Sequence, residues 1–487
     1  MGLKIAGQIE KVNGKELSYR EFVERYMEKN QPVVLTGLMD DWRACKDWVT
    51  LNGQPNLQFF ATHFGKSRVQ VADCGGREFT DQKRVELSVS EFVDQWREDS
   101  VPEGRNGSTH VVRGKPLLYL KDWHFVKEYP EYIAYTTPLF FCDDWLNLYL
   151  DNYRMHKDPD IYSGNNEISC SDYRFVYMGA KGTWTPLHAD VFRSYSWSAN
   201  VCGKKRWFFL SPSHSHLVFD RHECNFLNKK SCVYNIFDDV DETKFPSFNK
   251  VIWLECIQEQ NEIIFVPSGW YHQVHNLEDT ISINHNWFNG YNLFWVWDLL
   301  LRDYNEAKEY IEDIKDICDD FEGLCQRNLA ANTGMNFYDF LIFLAHMSLA
   351  NLVHLCKVFR GTENCVWSLS PMAQQLTFNL TSIQKIALKM KATEELTRNY
   401  RFHLDFRDTL DDPEFGKLCS VLGRTYEQIH KQQRFDCQTK EGSINAIRDL
   451  NIIGTCTSQD CTNPEDLVKF IDHAIVYLRG IYGEENV

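Results

Sequence analysis

The spacing of hydrophobic and polar residues changes near residue 300. Before that point, short runs of β-branched and aromatic residues are bounded by glycine, proline, asparagine or aspartate, which predicts strands joined by turns. The clearest of these runs are residues 173–179, 194–201, 206–210 and 262–266. After residue 300, apolar residues recur at helical spacing. We therefore expect a strand-rich domain over residues 1–300 and a helical domain over residues 301–487.

Two stretches differ from their surroundings. Residues 211–260 are rich in cysteine, asparagine and charged residues, which predicts a long insertion between two strands that shapes access to a site. Residues 337–346 are apolar almost all round, which indicates a core helix or a subunit contact. The chain has no uninterrupted run of about 18 apolar residues, so no membrane-spanning segment is expected.

The pattern His-x-Asp supplies the first candidate metal ligands. It occurs three times, at His156/Asp158, His188/Asp190 and His403/Asp405. The first pair lies in a polar segment that ends in proline, which is typical of a loop, and the third lies in a helix-rich region. The second follows a predicted strand, and residues two apart on an extended chain project to the same side. The sequence therefore predicts that His188 and Asp190 bind one metal ion.

A third ligand has to come from His272 or His275, which follow a predicted strand and a Pro-Ser-Gly turn. Side chains alternate along a strand, so the two histidines face opposite sides. We prefer His272 because it follows the Gly-Trp-Tyr turn directly. His275 is then expected on the surface or behind the ligands.

Two histidines and one carboxylate can occupy one face of Fe(II) and leave the other face open, as in the non-haem iron oxygenases. A catalytic zinc site also uses three protein ligands, and a barrel that only binds a ligand is a further alternative. Lys205, on a following strand, could anchor an acidic cosubstrate. Its spacing alone equally fits an exposed strand lysine.

At these residues the chain resembles the JmjC-domain oxygenases of the hydroxylase branch. The resemblance rests on His188-x-Asp190, Lys205 and the Gly-Trp-Tyr-His run at 269–272, and it extends over roughly residues 15 to 300. It implies an α+β fold with a double-stranded β-helix (cupin or jelly-roll) core, followed here by an α-helical C-terminal domain. It also implies that the protein uses Fe(II), 2-oxoglutarate as cosubstrate and O₂.

The resemblance also implies roles for individual residues. His188, Asp190 and His272 match the iron ligands of the family. The residues that match or are candidates for cosubstrate binding are Lys205, Thr185, Tyr119 and Asn286. Lys205 would pair with the distal carboxylate of 2-oxoglutarate, and Lys204 would face the opposite side of its strand.

Residues 188–198 and the helical tail resemble one member of this branch in particular, which implies lysyl hydroxylation of the translation termination (peptide-chain release) factor. N-methyl-lysine demethylation is the alternative activity, because it uses the same iron chemistry. A barrel protein that has lost turnover is the alternative that is not an enzyme. In related hydroxylases a helical tail supports dimerisation, so a homodimer is expected, and light scattering would test it.

Composition narrows the choice of partners. The chain of 487 residues has a formal net charge of −16, which argues against direct nucleic-acid binding and favours a basic protein partner. The 16 cysteines are scattered without a Cys-x-x-Cys pair, so neither zinc fingers nor a disulfide framework is expected. The first residues lack a long apolar stretch, so we expect no signal peptide. A cytoplasmic location is predicted, with a nuclear pool as the alternative.

Overall fold

A computed structural model describes residues 3–99, 116–155, 172–220, 231–361, 370–393, 403–430, 447–448, 451–455 and 460–482. The chain divides into two compact units. The first combines Met1–Pro138 with Tyr173–Asn286, and the second combines Leu139–Asp172 with Trp287–Val487. Residues 139–172 therefore belong to the second unit, although they precede the change of pattern near residue 300.

Eight strands form the centre of the first unit. They are β7 (Arg174–Gly179), β8 (Trp184–His188), β9 (Tyr195–Cys202), β10 (Lys205–Leu210), β11 (Ile252–Gln258), β12 (Ile263–Val266), β13 (Tyr271–Asn276) and β14 (Thr280–Trp287). The order β11-β10-β13-β8 makes one sheet, and the order β12-β9-β14-β7 belongs to the other. Consecutive strands alternate between the two sheets except at β10 and β11, which pair with each other, and this is the strand arrangement of the double-stranded β-helix. The sequence prediction of this fold is confirmed.

Earlier strands extend the two sheets at their edges. They are β1 (Lys4–Gln8), β2 (Lys11–Asn13), β3 (Val33–Thr36), β4 (Arg68–Glu78), β5 (Asp81–Ser88) and β6 (Leu118–Trp123). Strand β1 pairs in parallel with β11, and β2 and β3 continue the other sheet beyond β12. On the opposite edge, β6 pairs with β7 and with β4, which brings β6 beside the barrel.

The inner faces of the two sheets carry different side chains. Trp207, Phe209 and Val274 of the smaller sheet pack with Ile264 and Val266 of the larger one in a buried apolar cluster. Elsewhere the inner face of the larger sheet carries several polar side chains. There Tyr177 pairs with Ser282, and the Asn284 amide donates to the Ser282 hydroxyl over 3.2 Å. The barrel is therefore closed by packing on one side and lined by polar groups on the other.

The insertion predicted at residues 211–260 is shorter in the structure. Strand β11 occupies Ile252–Gln258, pairs with β10 and buries Trp253 and Cys256. Polar residues between the buried positions hid this strand in the sequence. In its described part, the remaining connection carries 3₁₀ turns at Pro212–Val218 and Phe248–Lys250.

Short helices accompany the strands of the first unit. They are α1 (Tyr19–Phe22), α2 (Ala44–Asp47), α3 (Leu57–Phe64), α4 (Val89–Asp99) and α5 (Phe125–Glu128), with a π-helical turn at Val23–Met27. Ser18 and Glu21 form a reciprocal capping box at the start of α1. This cap fixes the segment that leads towards β3.

Helices make up most of the described second unit. They are α6 (Trp145–Leu150), α7 (Leu293–Tyr310), α8 (Phe321–Thr333), α9 (Phe337–Gly361), α10 (Pro371–Lys391), α11 (Phe406–Asp411), α12 (Pro413–His430), α13 (Ile452–Thr455) and α14 (Pro464–Tyr482). Strands β15 (Leu404–Asp405) and β16 (Asp460–Cys461) form a short pair. Ser370 caps α10, and Pro371 occupies its first turn. Backbone N–H groups of the first turn have no partner within the helix, so the missing N–H of proline removes no helical hydrogen bond there.

Helix α9 is the core helix of the second unit. By length and composition the segment Phe337–Arg360 could cross a membrane, but 89% of its most apolar window is buried within the structure. Among its two histidines, His354 directs Nε2 towards the Cys419 carbonyl oxygen 2.8 Å away. This burial agrees with the core helix expected from the sequence.

Candidate active site

Strands β8 and β13 bring the three expected metal ligands together. His188 ends β8 and lies opposite His272 on β13, with their ring centres 4.3 Å apart. The candidate ligand atoms of His188, Asp190 and His272 all lie within 4.8 Å of one another. Within the described ranges, this is the one group of three or more histidine, cysteine or acidic residues placed to hold a metal ion.

A register shift helps to build this arrangement. The β8–β13 pairing shifts between His272 and Val274, so that Val274 lies opposite Thr185 while His272 lies opposite His188. Without the shift, the odd spacing between residues 185 and 188 would put the two side chains on opposite faces. The irregularity therefore places both Thr185 and His188 on the inner face.

Hydrogen bonds set which nitrogen of each histidine faces the shared space. His188 Nδ1 lies 2.8 Å from the Pro186 carbonyl oxygen, and His272 Nδ1 lies 3.2 Å from the Trp270 carbonyl oxygen. A carbonyl oxygen only accepts, so each Nδ1 carries the proton and each Nε2 keeps a free lone pair. Burial, and secondarily His188, lowers the pKa of His272 to about 4. The ring is therefore neutral, as a metal ligand must be.

Asp190 is held by the turn that follows it and by a serine of the next strand. Ser196 donates its hydroxyl hydrogen to Asp190 Oδ2 over 2.7 Å. After Asp190 the chain makes a turn in which Phe192 and Arg193 have φ of 54° and 47°. Left-handed backbone is uncommon for such residues, and strain of this kind is retained at functional sites. Buried Phe192 anchors the turn.

The turn before His272 is clamped by a residue from the N-terminal segment. Asn30 accepts a hydrogen bond from the Ser268 backbone N–H over 3.0 Å, and its amide donates to the Ser268 carbonyl over 2.9 Å. The Trp270 indole donates to the Asn30 carbonyl over 2.8 Å. Gly269 adopts φ of 73° within this turn. Sequence reasoning did not identify Asn30 as a supporting residue, because its partners lie about 240 residues away along the chain.

Lys205 lies deep on the inner face of β10. It pairs with Gln258 of β11 and Asn276 of β13, and its side chain is 2% exposed. Its ammonium donates to the Tyr119 hydroxyl over 3.1 Å. Burial, together with the charge of Lys121, lowers the pKa of Lys205 to about 7. In the described part of the chain no carboxylate forms an ion pair with it, so the site fits an acidic ligand.

The neighbouring lysine has the opposite orientation. Lys204 forms ion pairs with Glu259 at 3.2 Å and with Glu278 at 3.8 Å, and a third of its side chain is exposed. The expectation that it faces away from the barrel agrees with this placement.

The two other candidate cosubstrate residues lie at different positions. Thr185 is half-buried on the inner face opposite Val274, on the same strand as His188. Asn286 is buried at the end of β14, and its amide donates to the Ser194 hydroxyl over 3.2 Å. Asn286 therefore lies beside the turn that follows Asp190.

Other histidines near these motifs lie away from the metal ligands. His275 faces the outer side of β13, where it stacks on Trp184 with ring centres 5.7 Å apart. His403 contacts Asp460 at 3.4 Å in the second unit. His214 and His216 are exposed in a 3₁₀ turn. His156 and Asp158 lie outside the described residues.

The donor set and its surroundings fit iron and 2-oxoglutarate. Two imidazole nitrogens and one carboxylate that lie within 4.8 Å of one another match the ligands of non-haem Fe(II) oxygenases. Zinc would use the same three ligands, but it would leave the buried Lys205 without a counter-charge. A dicarboxylate that reaches from the metal ligands to Lys205 supplies that charge through a charge-assisted hydrogen bond.

Comparison with known proteins gives the same result. A Cupin-like domain model matches residues 19–292. The chain is 58% identical over 483 residues to the arginine-specific demethylase JMJ20 of Arabidopsis thaliana, covering 99% of this chain and 100% of that protein. It is 38% identical over 355 residues to the 2-oxoglutarate and iron-dependent oxygenase JMJD4 of Danio rerio, covering 72% and 77% of the two chains. The human JMJD4 is 35% identical over 331 residues, covering 67% and 72%.

The chain belongs to the cupin-like JmjC oxygenases. The family predicted from the sequence, with its resemblance to JMJD4, is confirmed. As a JmjC oxygenase the protein is an iron- and 2-oxoglutarate-dependent dioxygenase. The names of these relatives indicate different activities: JMJ20 is named an arginine-specific demethylase, whereas the two JMJD4 proteins are named oxygenases without a stated substrate.

Proposed function

We propose that this oxygenase hydroxylates a lysyl side chain of a protein, and that the protein is the translation termination (peptide-chain release) factor. The convergence of His188, Asp190 and His272 within 4.8 Å carries the proposal of catalytic turnover. The likeness to the JMJD4 proteins extends past the barrel, over 72% of this chain in the zebrafish comparison. The formal charge of −16 suits a basic protein substrate.

In this proposal each inner-face residue has a defined task. His188, Asp190 and His272 would hold Fe(II), with Ser196 and two backbone carbonyls fixing their orientation. Lys205 and Tyr119 would hold the distal carboxylate of 2-oxoglutarate, together with Thr185. Asn286 would support the other end of the cosubstrate pocket through its hydrogen bond to Ser194.

Bound iron, 2-oxoglutarate and O₂ supply the oxidising chemistry. When bound, these groups would supply one oxygen atom for insertion into a substrate C–H bond, with succinate, which takes the other oxygen atom, and CO₂ as the coproducts. The residues of this chain bind and orient the reactants and exclude water from the site. Because a misplacement of about 1 Å can reduce a rate by about a hundredfold, rigid strands are the suitable place for these residues.

N-methyl-arginine demethylation is a second candidate, favoured by one observation. The relative that is 58% identical over 99% of this chain carries the name arginine-specific demethylase. N-methyl-lysine demethylation shares the same first step, which is hydroxylation of a methyl group that then leaves as formaldehyde. Both alternatives use the same iron and cosubstrate residues and differ only in the side chain that is presented.

One set of incubations distinguishes these candidates. Purified protein with Fe(II) and 2-oxoglutarate is incubated separately with the release factor, with methyl-arginine peptides and with methyl-lysine peptides, and the products are analysed by mass spectrometry. We expect one added oxygen atom on a lysine of the release factor. Loss of a methyl group from arginine peptides, with an unmodified release factor, would overturn the proposal in favour of demethylation.

Controls separate an enzyme from a binding protein. Succinate release should require iron and be lost in His188→Ala, whereas His275→Ala should retain it because that ring lies on the outer face. Equal succinate release by the His188→Ala protein would contradict the ligand assignment. A pull-down with Asp190→Ala as a trap should recover the release factor, and recovery of other proteins alone would count against the named substrate.

A further inference from the structure

A second lysine is buried next to the proposed cosubstrate pocket. Lys121 lies two residues after Tyr119 on β6, so the two side chains project to the same face. Lys121 is 4% exposed, and its ammonium donates to Gln82 Oε1 over 2.7 Å. An isolated buried ammonium is strongly disfavoured, so this position requires an explanation.

The ionisable groups around Lys121 and Lys205 leave one positive charge in excess, because two carboxylates, Asp81 and Asp122, face three cations, Arg84, Lys121 and Lys205. Asp122 and Asp81 are the acidic residues that act on Lys121, and Arg84 donates to both of them, over 2.5 Å and 3.3 Å respectively. Asp122 also accepts the Tyr177 hydroxyl hydrogen over 2.6 Å. Within the described ranges Lys121 forms no ion pair of its own.

The remaining neighbours are neutral or positive. Burial raises the pKa of both Cys74 and Tyr119, so the thiol and the phenol are uncharged at neutral pH. Burial also lowers the pKa of Lys121 to about 8. The group on β10 that acts on this region is Lys205, which is a second cation.

The two ammonium groups converge on one phenol ring. Lys121 Nζ lies 5.2 Å from the centre of the Tyr119 ring, and Lys205 Nζ lies 5.7 Å from the same point. Lys205 also donates to the Tyr119 hydroxyl over 3.1 Å. Two buried cations around one neutral ring form a region of positive potential that an anion would stabilise.

We propose that Lys121 is a second cation of the cosubstrate pocket, a positioning residue that strengthens binding of the distal carboxylate of 2-oxoglutarate and couples this binding to proton uptake. It acts through Tyr119 and Lys205. The inference uses the placement of 2-oxoglutarate at Lys205 and does not depend on which protein is hydroxylated.

The direction of the pH effect follows from the pocket without ligand. There the pKa of Lys205 is about 7, so part of the Lys205 population is neutral just above pH 7. A bound carboxylate favours the protonated lysine, so binding above pH 7 draws in a proton. The affinity for 2-oxoglutarate should therefore fall as pH rises above about 7.

A structural role for Lys121 is the competing explanation. Gln82, which accepts from Lys121, donates its amide to the Trp184 carbonyl over 3.0 Å, at the start of the strand that carries His188. Lys121→Gln keeps a donor towards Gln82 while it removes the charge. Lys121→Arg keeps a charge. The two variants therefore separate electrostatic support from hydrogen bonding.

The experiment is calorimetric titration of 2-oxoglutarate into Fe(II)-loaded protein under nitrogen, at several pH values and in buffers of different ionisation enthalpy. The wild type should take up protons above pH 7. Lys121→Gln should bind about tenfold more weakly at pH 7, with a smaller proton uptake, and Lys121→Arg should remain near the wild type. Lys204→Gln makes the same charge change on the outer face and should have no effect.

A second ligand sharpens the test. 2-Oxopentanoate lacks the distal carboxylate, so its binding should not respond to Lys121→Gln. Absence of proton uptake by the wild type would overturn the proposal without any variant. Equal 2-oxoglutarate affinity in wild type and Lys121→Gln would overturn it as well. If Lys121→Gln does not fold, a tenfold loss of 2-oxoglutarate affinity in Lys121→Arg, which keeps the charge, contradicts the electrostatic role.

Discussion

Two histidines on strand β13, three residues apart, show how the two faces of one sheet differ. Burial is the main cause that lowers the pKa of both His272 and His275 to about 4. Their neighbours differ completely. His272 lies 4.3 Å from the His188 ring on the inner face, whereas His275 stacks on Trp184 and contacts the Gln273 amide. A shifted pKa therefore does not mark the site; convergence with other ligands does.

Lys204 and Lys205 repeat this contrast at the start of strand β10, whose first residue is Lys205. Lys204 has two glutamate partners and is partly exposed to water, whereas Lys205 is buried and has a phenol as its hydrogen-bond partner. The free energy needed to bury Lys205 without a counter-charge is recovered only when an anion binds. The inner face is thus arranged for ligands and the outer face for stability.

The strongest way to test this comparison is to remove one histidine from each face. His272→Ala should lower iron binding and succinate release by more than about a hundredfold, because one of three ligands is lost. His275→Ala should keep both, with only a small loss of stability. Metal content and succinate release of the purified proteins would be measured side by side. Comparable losses in the two variants would contradict a single functional face.

Part of this arrangement follows from the sequence alone. Because side chains alternate along a strand, His272 and His275 are expected on opposite faces, and so are Lys205 and Lys204. In the structure both pairs of side chains are divided in this way. The register shift after His272 could not be predicted, because it depends on how β13 pairs with β8.

Other supporting residues were beyond sequence reasoning for a related reason. Lys121, Asn30 and Ser196 act through contacts that only the folded chain creates, and nothing in their local sequence marks them. Tyr119 became a candidate through the family resemblance, since it lies 86 residues from Lys205 along the chain. Strand β11 was missed because Glu255 interrupts its apolar pattern and the buried residue at its end is the polar Gln258.

The next largest effect is expected from the lysine pair. Lys205→Met should raise the KM for 2-oxoglutarate on the order of a hundredfold, the usual range when one partner of a buried charged pair is removed. Lys204→Met should leave the KM close to the wild-type value, because Lys204 is bound to surface glutamates. Initial rates of succinate release at varied 2-oxoglutarate give the comparison. An unchanged KM in Lys205→Met would remove Lys205 from the cosubstrate pocket.

A smaller effect is expected one layer behind the metal ligands. Ser196→Ala removes the hydroxyl that donates to Asp190 and should weaken iron binding by about tenfold. Ser198 is the matched control, since it lies two residues further on the same strand face and its hydroxyl has no hydrogen-bond partner among the described residues. Iron affinity of both alanine variants would be measured by titration under nitrogen. Equal affinities would show that Ser196 does not orient the carboxylate.

The smallest effect concerns stability, and its sign distinguishes a ligand site from a structural one. Burial lowers the pKa of Lys205 from 10.5 to about 7, so the unfolded chain binds more protons than the folded chain between these pH values. The stability of the ligand-free protein should therefore rise with pH across this window.

Lys205→Met removes this contribution and should raise the Tm at pH 7 by a few degrees, because an unpaired buried charge is replaced by an apolar side chain. Saturating 2-oxoglutarate should raise the Tm of the wild type and have little effect on the variant. A lower Tm in the ligand-free variant, measured by scanning calorimetry, would instead make Lys205 a structural residue.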